Sequence, residues 1–389
     1  MYRCNVIGLS DSHRLWLTPE VTRIISEGHV FSGGKRHHEI IADLLPDEYT
    51  WIDITVPIDG VLQRYKSFDD IVVFASGDPL FYGFATTLLR AFPDVEMKVF
   101  PTFNSLQMLA HRMNMPYHDM YTVSLTGRQW HRFDEALIRG ERLIGCLTDR
   151  KKTPHAIWQR MQEYGFDNYV MYVGENLGNE EKEHVGIYDP VRDYPSPNCI
   201  ILQQQRLRRQ NIGIADAEFH LLDGRSKMIT KMPVRLASLA ALQLAEKHSL
   251  WDVGFCTGSV SIEARLAFPH LMVTAFEIRE EGEKLMQENS RKFHAPGIDA
   301  RIGDFCTADI SDCPAPDAVF IGGYGGKMRE VLTKVKSVLA PSGCIVFNSV
   351  SEKSRESFLS ITKELGMQPE TVHTITVDNN NPITILRAR

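Results

Sequence analysis

The stretch Leu250 to Glu263, LWDVGFCTGSVSIE, restricts the chain to few folds. Leu250, Trp251 and Val253 make an apolar strand, Gly254 and Gly258 bracket a tight turn, and Ser259 is placed to cap a helix running through Ile262 and Ala264. A strand that turns on glycine into a helix brings backbone N–H groups and a helix N-terminus close to a carboxylate or phosphate. The next apolar stretch, Leu271 to Phe276, ends in Glu277. An acid at the end of the second strand of a βαβ unit holds the two hydroxyls of a ribose. Turn, helix, strand and acid in that order predict a nucleoside-type ligand. Cys256 occupies the place of a middle glycine in Gly-x-Gly-x-x-Gly, so a pyrophosphate pocket is the poorer fit. S-adenosylmethionine carries a ribose, an adenine and an amino-acid carboxylate but no phosphate, and is the expected cofactor.

A chain of 389 residues suits two domains of about 150–200 residues each. The polar segment Gln203 to Gln210, QQQRLRRQ, is the predicted boundary, giving domains 1–205 and 211–389. Ahead of it, Arg3 to Leu9 reads as a strand, and Thr18-Pro19-Glu20 starts a helix with Thr18 as cap and Pro19 in its first turn, ending near Gly28. His29 to Phe31 is a short strand before SGGKRHHEII, where Lys35 and Arg36 form either an ordinary loop into a helix or a basic rim for carboxylates. Ile71 to Ala75 is an apolar run of the kind buried on both faces, and it stops at Ser76-Gly77-Asp78-Pro79. Helices over Leu80 to Arg90, Ser105 to Met113 and Pro154 to Tyr164 alternate with strands at Val95 to Phe100, Thr122 to Leu125, Leu143 to Leu147, Tyr169 to Val173 and Cys199 to Gln203. That alternation predicts a largely parallel α/β sheet.

Beyond the boundary, Thr230 is placed to cap a helix carrying Val234, Leu236, Leu239 and Leu242. The glycine-turn strand follows, then helices over Arg279 to Phe293, Met328 to Leu339 and Glu352 to Leu365. They alternate with strands at Ala300 to Asp304, Ala318 to Ile321 and Cys344 to Phe347. Thr371 to Val377 and Ile383 to Arg387 form an antiparallel hairpin at the sheet edge. This is the plan of a class I methyltransferase rather than of a dinucleotide dehydrogenase.

A formal charge of −6 argues against a nucleic-acid partner, and no apolar run approaches the roughly 18 residues that span a bilayer. A cytoplasmic enzyme acting on a small molecule is expected. Cys4, Cys146, Cys199, Cys256, Cys306, Cys313 and Cys344 contain no Cys-x-x-Cys pair, and His37 and His38 are adjacent rather than a helical turn apart, so no metal is expected.

Both halves resemble known families. The first is similar to the tetrapyrrole methylases of corrin biosynthesis through VFASGDPLFYG at Val73 to Gly83, PTFNSLQ at Pro101 to Gln107, LTD at Leu147 to Asp149, ENLG at Glu175 to Gly178 and SGGKRH at Ser32 to His37. The second resembles the decarboxylating class I methyltransferases of the same route through GI-x-D at Gly213 to Asp216, ITK at Ile229 to Lys231, the glycine-turn segment, PDAVFIGG at Pro316 to Gly323 and NPI at Asn381 to Ile383. Their order resembles the fused precorrin-6B C5,15-methyltransferase (decarboxylating) family of cobalamin synthesis.

The resemblance implies a class III methylase of two α/β lobes followed by a class I Rossmann-like sheet. It also implies S-adenosylmethionine in each half, a corrin precursor, with or without cobalt, as substrate, and association into homo-oligomers. Methylation at carbon 5 would fall to the first half; methylation at carbon 15 and loss of the ring C acetate carboxyl would fall to the second. Carried over position by position, cofactor contacts are Ser76, Gly77, Asp78, Pro79, Asn104 and Ser105 in the first half. In the second they are Thr230, Gly254, Phe255, Cys256, Thr257, Gly258, Glu277, Asp304 and Phe305. Lys35, Arg36 and Arg128 are candidates for the substrate's carboxylates, or else ordinary salt-bridging residues; no decarboxylation residue is assigned. Two positions depart from the families: Gly8 leads into Leu9-Ser10-Asp11-Ser12 instead of a Gly-x-Gly-Pro-Gly turn, and Cys256 replaces a glycine. They keep open a half that binds cofactor without turnover, beside a methyltransferase for another small molecule.

Overall fold

A computed structural model describes residues 1, 3–12, 15–208, 211–225, 228–378 and 381–389; the last two residues of the predicted 203–210 boundary segment lie outside them. Two compact units form. The first comprises Met1–Arg128, Arg142–Trp158 and Tyr169–Gln205, and the second comprises Gln129–Glu141, Gln159–Asn168 and Arg206–Arg389.

The first unit begins β1 (Arg3–Leu9), α1 (Pro19–Glu27), β2 (Val30–Gly33), α2 (Lys35–Ile41), β3 (Thr50–Asp53), α3 (Asp59–Tyr65), β4 (Asp70–Ser76), α4 (Phe84–Ala91), β5 (Glu96–Phe100) and α5 (Ser105–Arg112). Its first sheet has the order β3-β2-β4-β1-β5 with every pair parallel. The Ile71–Ala75 run is buried throughout, as its unbroken apolar character requires of a central parallel strand. Thr18 caps α1 by accepting the Val21 N–H at 3.3 Å, with Pro19 in the first turn.

The chain continues β6 (Tyr121–Ser124), α6 (His131–Arg139), β7 (Leu143–Leu147), α7 (Pro154–Glu163), β8 (Tyr169–Glu175), β9 (His184–Ile187) and β10 (Asn198–Gln204). The second sheet, β6-β7-β10-β8-β9, corrects the expectation of a largely parallel arrangement. Only β6 and β7 pair in parallel, and β10 runs antiparallel between β7 and β8. Strands β9 and β10 flank β8, each antiparallel to it, and residues 188–197 carry the chain from one side of β8 to the other.

The second unit adds α8 (Met232–Leu242), β11 (Ser249–Val253), α9 (Ser259–Ala267), β12 (Met272–Glu277), α10 (Glu281–Lys292), β13 (Ile298–Ile302), β14 (Ala318–Ile321), α11 (Met328–Val338), β15 (Cys344–Ser349), α12 (Glu352–Glu364), β16 (Pro369–Ile375) and β17 (Ile383–Ala388). The order β13-β12-β11-β14-β15-β17-β16 is parallel except for the terminal hairpin, which lies at the edge as expected. Apolar layers cover both faces, one including Trp251, Phe276 and Phe358, the other Leu250, Val273 and Phe320. Strand β11 lies between β12 and β14, so chain order reverses there and a crevice opens at the carboxyl ends.

Two capping expectations need correction. Gly258, with φ +73°, precedes α9, and Ser259 is its buried first residue. Lys231, not Thr230, precedes α8 and makes no capping bond of its own; Asp216 Oδ1 accepts the N–H of the first helical residue, Met232, at 3.0 Å. The helix expected from Leu80 begins at Phe84, because Asp78 Oδ1 accepts the Leu80 N–H at 2.9 Å and Tyr82 takes φ +52°, which hold residues 80–83 in a turn.

Candidate cofactor and substrate clefts

In the second unit the crevice is a cavity of about 510 Å³. Its floor is set by Gly254. The Gly254 N–H donates to the Phe276 carbonyl at 2.8 Å, while Gly322 N–H reaches the Val253 carbonyl at 2.8 Å, so three strand ends meet. Gly254 has φ +78°, and a Cβ there would fall 2.6 Å from Gly323 N. No larger residue fits, and the bare backbone faces the cavity.

Glu277 is buried on the cavity wall. Its Oε2 accepts the Cys256 N–H at 2.8 Å, and its Oε1 accepts from Arg279 Nη1 at 2.9 Å. Cys256 has φ +52°, in the left-handed region that a glycine adopts without strain, and its Sγ contacts the Met228 carbonyl at 3.0 Å. Asp304 accepts the Cys306 N–H at 2.9 Å and pairs with Lys327 Nζ at 2.6 Å; the lysine holds its carboxyl below the usual carboxylate range.

Thr230, Gly254, Phe255, Cys256, Glu277, Asp304 and Phe305 thus come together around one cavity. Thr257 and Gly258 do not reach its wall. Thr257 is buried with its carbonyl bonded to Asn289, and Gly258 packs beneath Met286. The sheet order gives the cavity two ends: Glu277, Arg279 and Asp304 over β12 and β13, and Gly323, Asn348 and Ile383 over β14, β15 and β17. Arg279 and Lys327, the partners of the two acids, were not anticipated; their only signal was a cation close after a strand end.

In the first unit a cleft of about 570 Å³ opens over β1 and β4. The Gly77 N–H donates to the Leu9 carbonyl at 2.8 Å, and a Cβ on Gly8 would lie 1.9 Å from the Gly77 carbonyl oxygen. Gly8 is therefore the glycine the packing demands even where the remainder of a glycine-rich turn is missing. Ser76, Gly77, Asn104 and Ser105 line the cleft. Asn104 also caps α5, exchanging bonds of 3.0 Å with Gln107 in both directions. Asp78 and Pro79 shape the turn but are not on the wall.

Among the basic candidates, Arg36 is on the wall, paired with Asp11 at 3.0 Å. Arg128 stands 5.1 Å over the ring of Tyr82, which lines the cleft, and Lys35 is exposed away from it. His37 also lines the cleft, with burial and Arg36 pushing its imidazole down to about 4. A second hollow of about 810 Å³ shares Leu9, Ser10 and Met108 with this cleft.

Residues 3–187 match the family described as Tetrapyrrole (Corrin/Porphyrin) Methylases, and residues 222–388 match the Precorrin methyltransferase domain. The cobalt-precorrin-6B C(15)-methyltransferase (decarboxylating) of Salmonella typhimurium is 36% identical over 145 residues, 37% of this chain and 74% of that protein. The chain belongs to the precorrin methyltransferases.

Within that family the likeness runs through both halves. The precorrin-6Y C(5,15)-methyltransferase (decarboxylating) of a Sinorhizobium species is 29% identical over 368 residues, 93% of this chain and 88% of the relative. The cobalt-precorrin-7 C(5)-methyltransferase of Salmonella typhimurium is 28% identical over 203 residues, 51% of this chain and 98% of that protein. This precorrin methyltransferase is therefore a two-part fusion, as its sequence motifs implied. Among the described residues no helix is long and apolar enough to cross a membrane.

Proposed function

We propose that this precorrin methyltransferase moves methyl groups from S-adenosylmethionine to carbons 5 and 15 of a corrin precursor and removes the ring C acetate carboxyl as carbon dioxide. Residues 1–205 serve carbon 5; residues 211–389 serve carbon 15 and the decarboxylation. The reading is carried by one observation: each unit has its own cleft at the carboxyl ends of parallel strands, within a chain whose halves align separately with C(5)- and C(15)-methyltransferases.

The residues of the second cavity suit the cofactor. Glu277 offers carboxylate oxygens to ribose hydroxyls, the bare Gly254 backbone admits the methionine portion, and Phe305 and Ile278 give apolar walls for an adenine. Bound S-adenosylmethionine supplies an electrophilic methyl on sulfur. The protein's part is alignment of substrate carbon, methyl and sulfur, which can contribute about 7–11 kcal/mol. The cofactor end over β12 and β13 and the remaining end over β14, β15 and β17 give the two reactants separate seats. Val234, Val350 and Ile383 at the second seat make an apolar lining that strips water from an acetate carboxylate before it leaves. In the first unit Ser76, Gly77, Asn104 and Ser105 hold the cofactor, and Arg36 faces the substrate's acid groups. The formal charge of −6 supports a small-molecule substrate over nucleic acid.

Mass spectrometry after incubation with precorrin-6B and S-adenosylmethionine tests the proposal. Two added methyls and one lost carboxyl are expected; a single methyl would retire the role of one half. Sedimentation of the purified chain tests the accompanying proposal that it forms homo-oligomers.

A further inference from the structure

The hydrogen bonds around Ser76 leave its hydroxyl a single role. His37 is the third residue of α2, and its Nδ1 accepts the Gly34 backbone N–H at 3.2 Å. An N–H donor needs a lone pair opposite it, so the neutral ring carries its proton on Nε2. Nε2 lies 2.9 Å from Ser76 Oγ and donates to it. Arg36 Nη2, which has only protons to give, donates to the same oxygen at 3.0 Å. Both lone pairs of the hydroxyl are then taken. Its one proton has no acceptor among the described residues, and Ser76 is exposed on the cleft wall.

We propose that Arg36 and His37 position Ser76 as an obligate hydrogen-bond donor to a carboxylate bound in the first unit's cleft. The inference rests on the methyltransferase reading of this unit and adds what its cleft recognises. A hydroxyl that rotates freely accepts as readily as it donates; with its lone pairs occupied it selects an acceptor-only group and rejects an ammonium. Asp11 on the same wall is paired with Arg36 Nη1 at 3.0 Å, which removes its opposition to an incoming anion. The carboxylate belongs either to the amino-acid end of the cofactor or to an acid side chain of the tetrapyrrole.

Steady-state kinetics of carbon 5 methylation distinguish these sources in the full-length chain. The variants are Ser76→Ala, His37→Ala, their combination, and His37→Gln, which keeps an N–H donor. Ser76→Ala and His37→Ala are each expected to raise KM for the carboxylate's owner about tenfold, the loss of one hydrogen bond to a charged group. The double variant should be no worse than Ser76→Ala alone, and His37→Gln should recover most of the loss. If the cofactor owns the carboxylate, its KM moves and that of the tetrapyrrole does not; if the tetrapyrrole owns it, the reverse holds. Unchanged KM for both, or independent losses that multiply in the double variant, overturn the proposal. Thermal unfolding of each variant separates such losses from misfolding. A wild-type chain that methylates carbon 15 but never carbon 5 overturns the reading of the unit itself.

Discussion

The Cys256 N–H donates to Glu277 Oε2 at 2.8 Å, so one carboxylate ties the turn after β11 to the end of β12. Arg279 holds the other oxygen at 2.9 Å, which fixes the carboxylate in the cavity wall. Glu277→Gln places an amide where two donors expect acceptors. Losing a charge-assisted hydrogen bond of about 1.5–3 kcal/mol should weaken binding at the second unit's site by roughly 10- to 100-fold. Titration calorimetry with S-adenosylhomocysteine checks this, and carbon 5 methylation should be spared. Unchanged affinity would remove Glu277 from the ribose site.

Gly254 and Cys256 both take positive φ, yet only Gly254 is boxed in by backbone. Gly254→Ala sets a Cβ 2.6 Å from Gly323 N as well as straining φ, and should destabilise the second unit by about 2–5 kcal/mol. Cys256→Gly relieves strain but frees the unfolded chain, effects that nearly offset, so it should stay within about 1 kcal/mol of wild type. Urea unfolding of the two variants compares them directly. Effects similar in size but opposite in sign would show that φ alone, and not the approach of the two strand ends, governs the turn.

How far the sequence discloses this arrangement differs between the halves. The sheet of the second unit is legible because its central parallel strands are largely apolar and buried and the loops at their ligand ends are marked by glycine or acid, as in Gly254, Glu277 and Gly322. Strand β9 escapes because His184–Ile187 is a short, partly exposed edge with no apolar face to read. Strand β3 and helix α3 are likewise too short for a firm period. The direction of β10 is invisible, since an apolar run looks the same paired either way. At the sites, residue types could be read but pairings could not. Nothing local joins His37 to Ser76, which meet only because β2 lies beside β4.

A buried ion pair secures the segment that enters the second unit. Arg235 Nε lies 3.1 Å from Glu263 Oε2, with both side chains buried, and Glu263 also accepts the Gly213 and Ile214 N–H groups at 2.6 and 3.1 Å. Arg235→Met strands a buried carboxylate and should cost about 3–5 kcal/mol. Joining it with Glu263→Gln, which removes that charge and keeps an acceptor for the two backbone groups, should recover part of the loss. Denaturant midpoints of the single and double variants measure the recovery; simple additivity would mean that the two side chains do not act as a pair.

Asp252 makes the stability of the second unit depend on pH. It is fully buried beneath the glycine turn, and loss of hydration pushes its carboxyl up to about 7 despite the hydrogen bond from Ser261 at 2.6 Å. Its Oδ1 has no hydrogen-bond partner among the described residues. An unfolded aspartate titrates near about 3.9, so the folded state binds this proton more tightly than the unfolded state. Below about pH 4 the group is protonated in both states and contributes nothing. Between about pH 4 and 7 the unfolded chain ionises while the folded one does not, so this group's contribution to stability falls as pH rises and reaches its full penalty above about pH 7. Asp252→Asn keeps a similar shape and has no charge to lose. Urea unfolding from about pH 4.5 to 8 should show the variant gaining on wild type by up to about 1.4 kcal/mol per pH unit, then levelling off. Curves that stay parallel throughout would show that Asp252 ionises as easily in the fold as in the open chain.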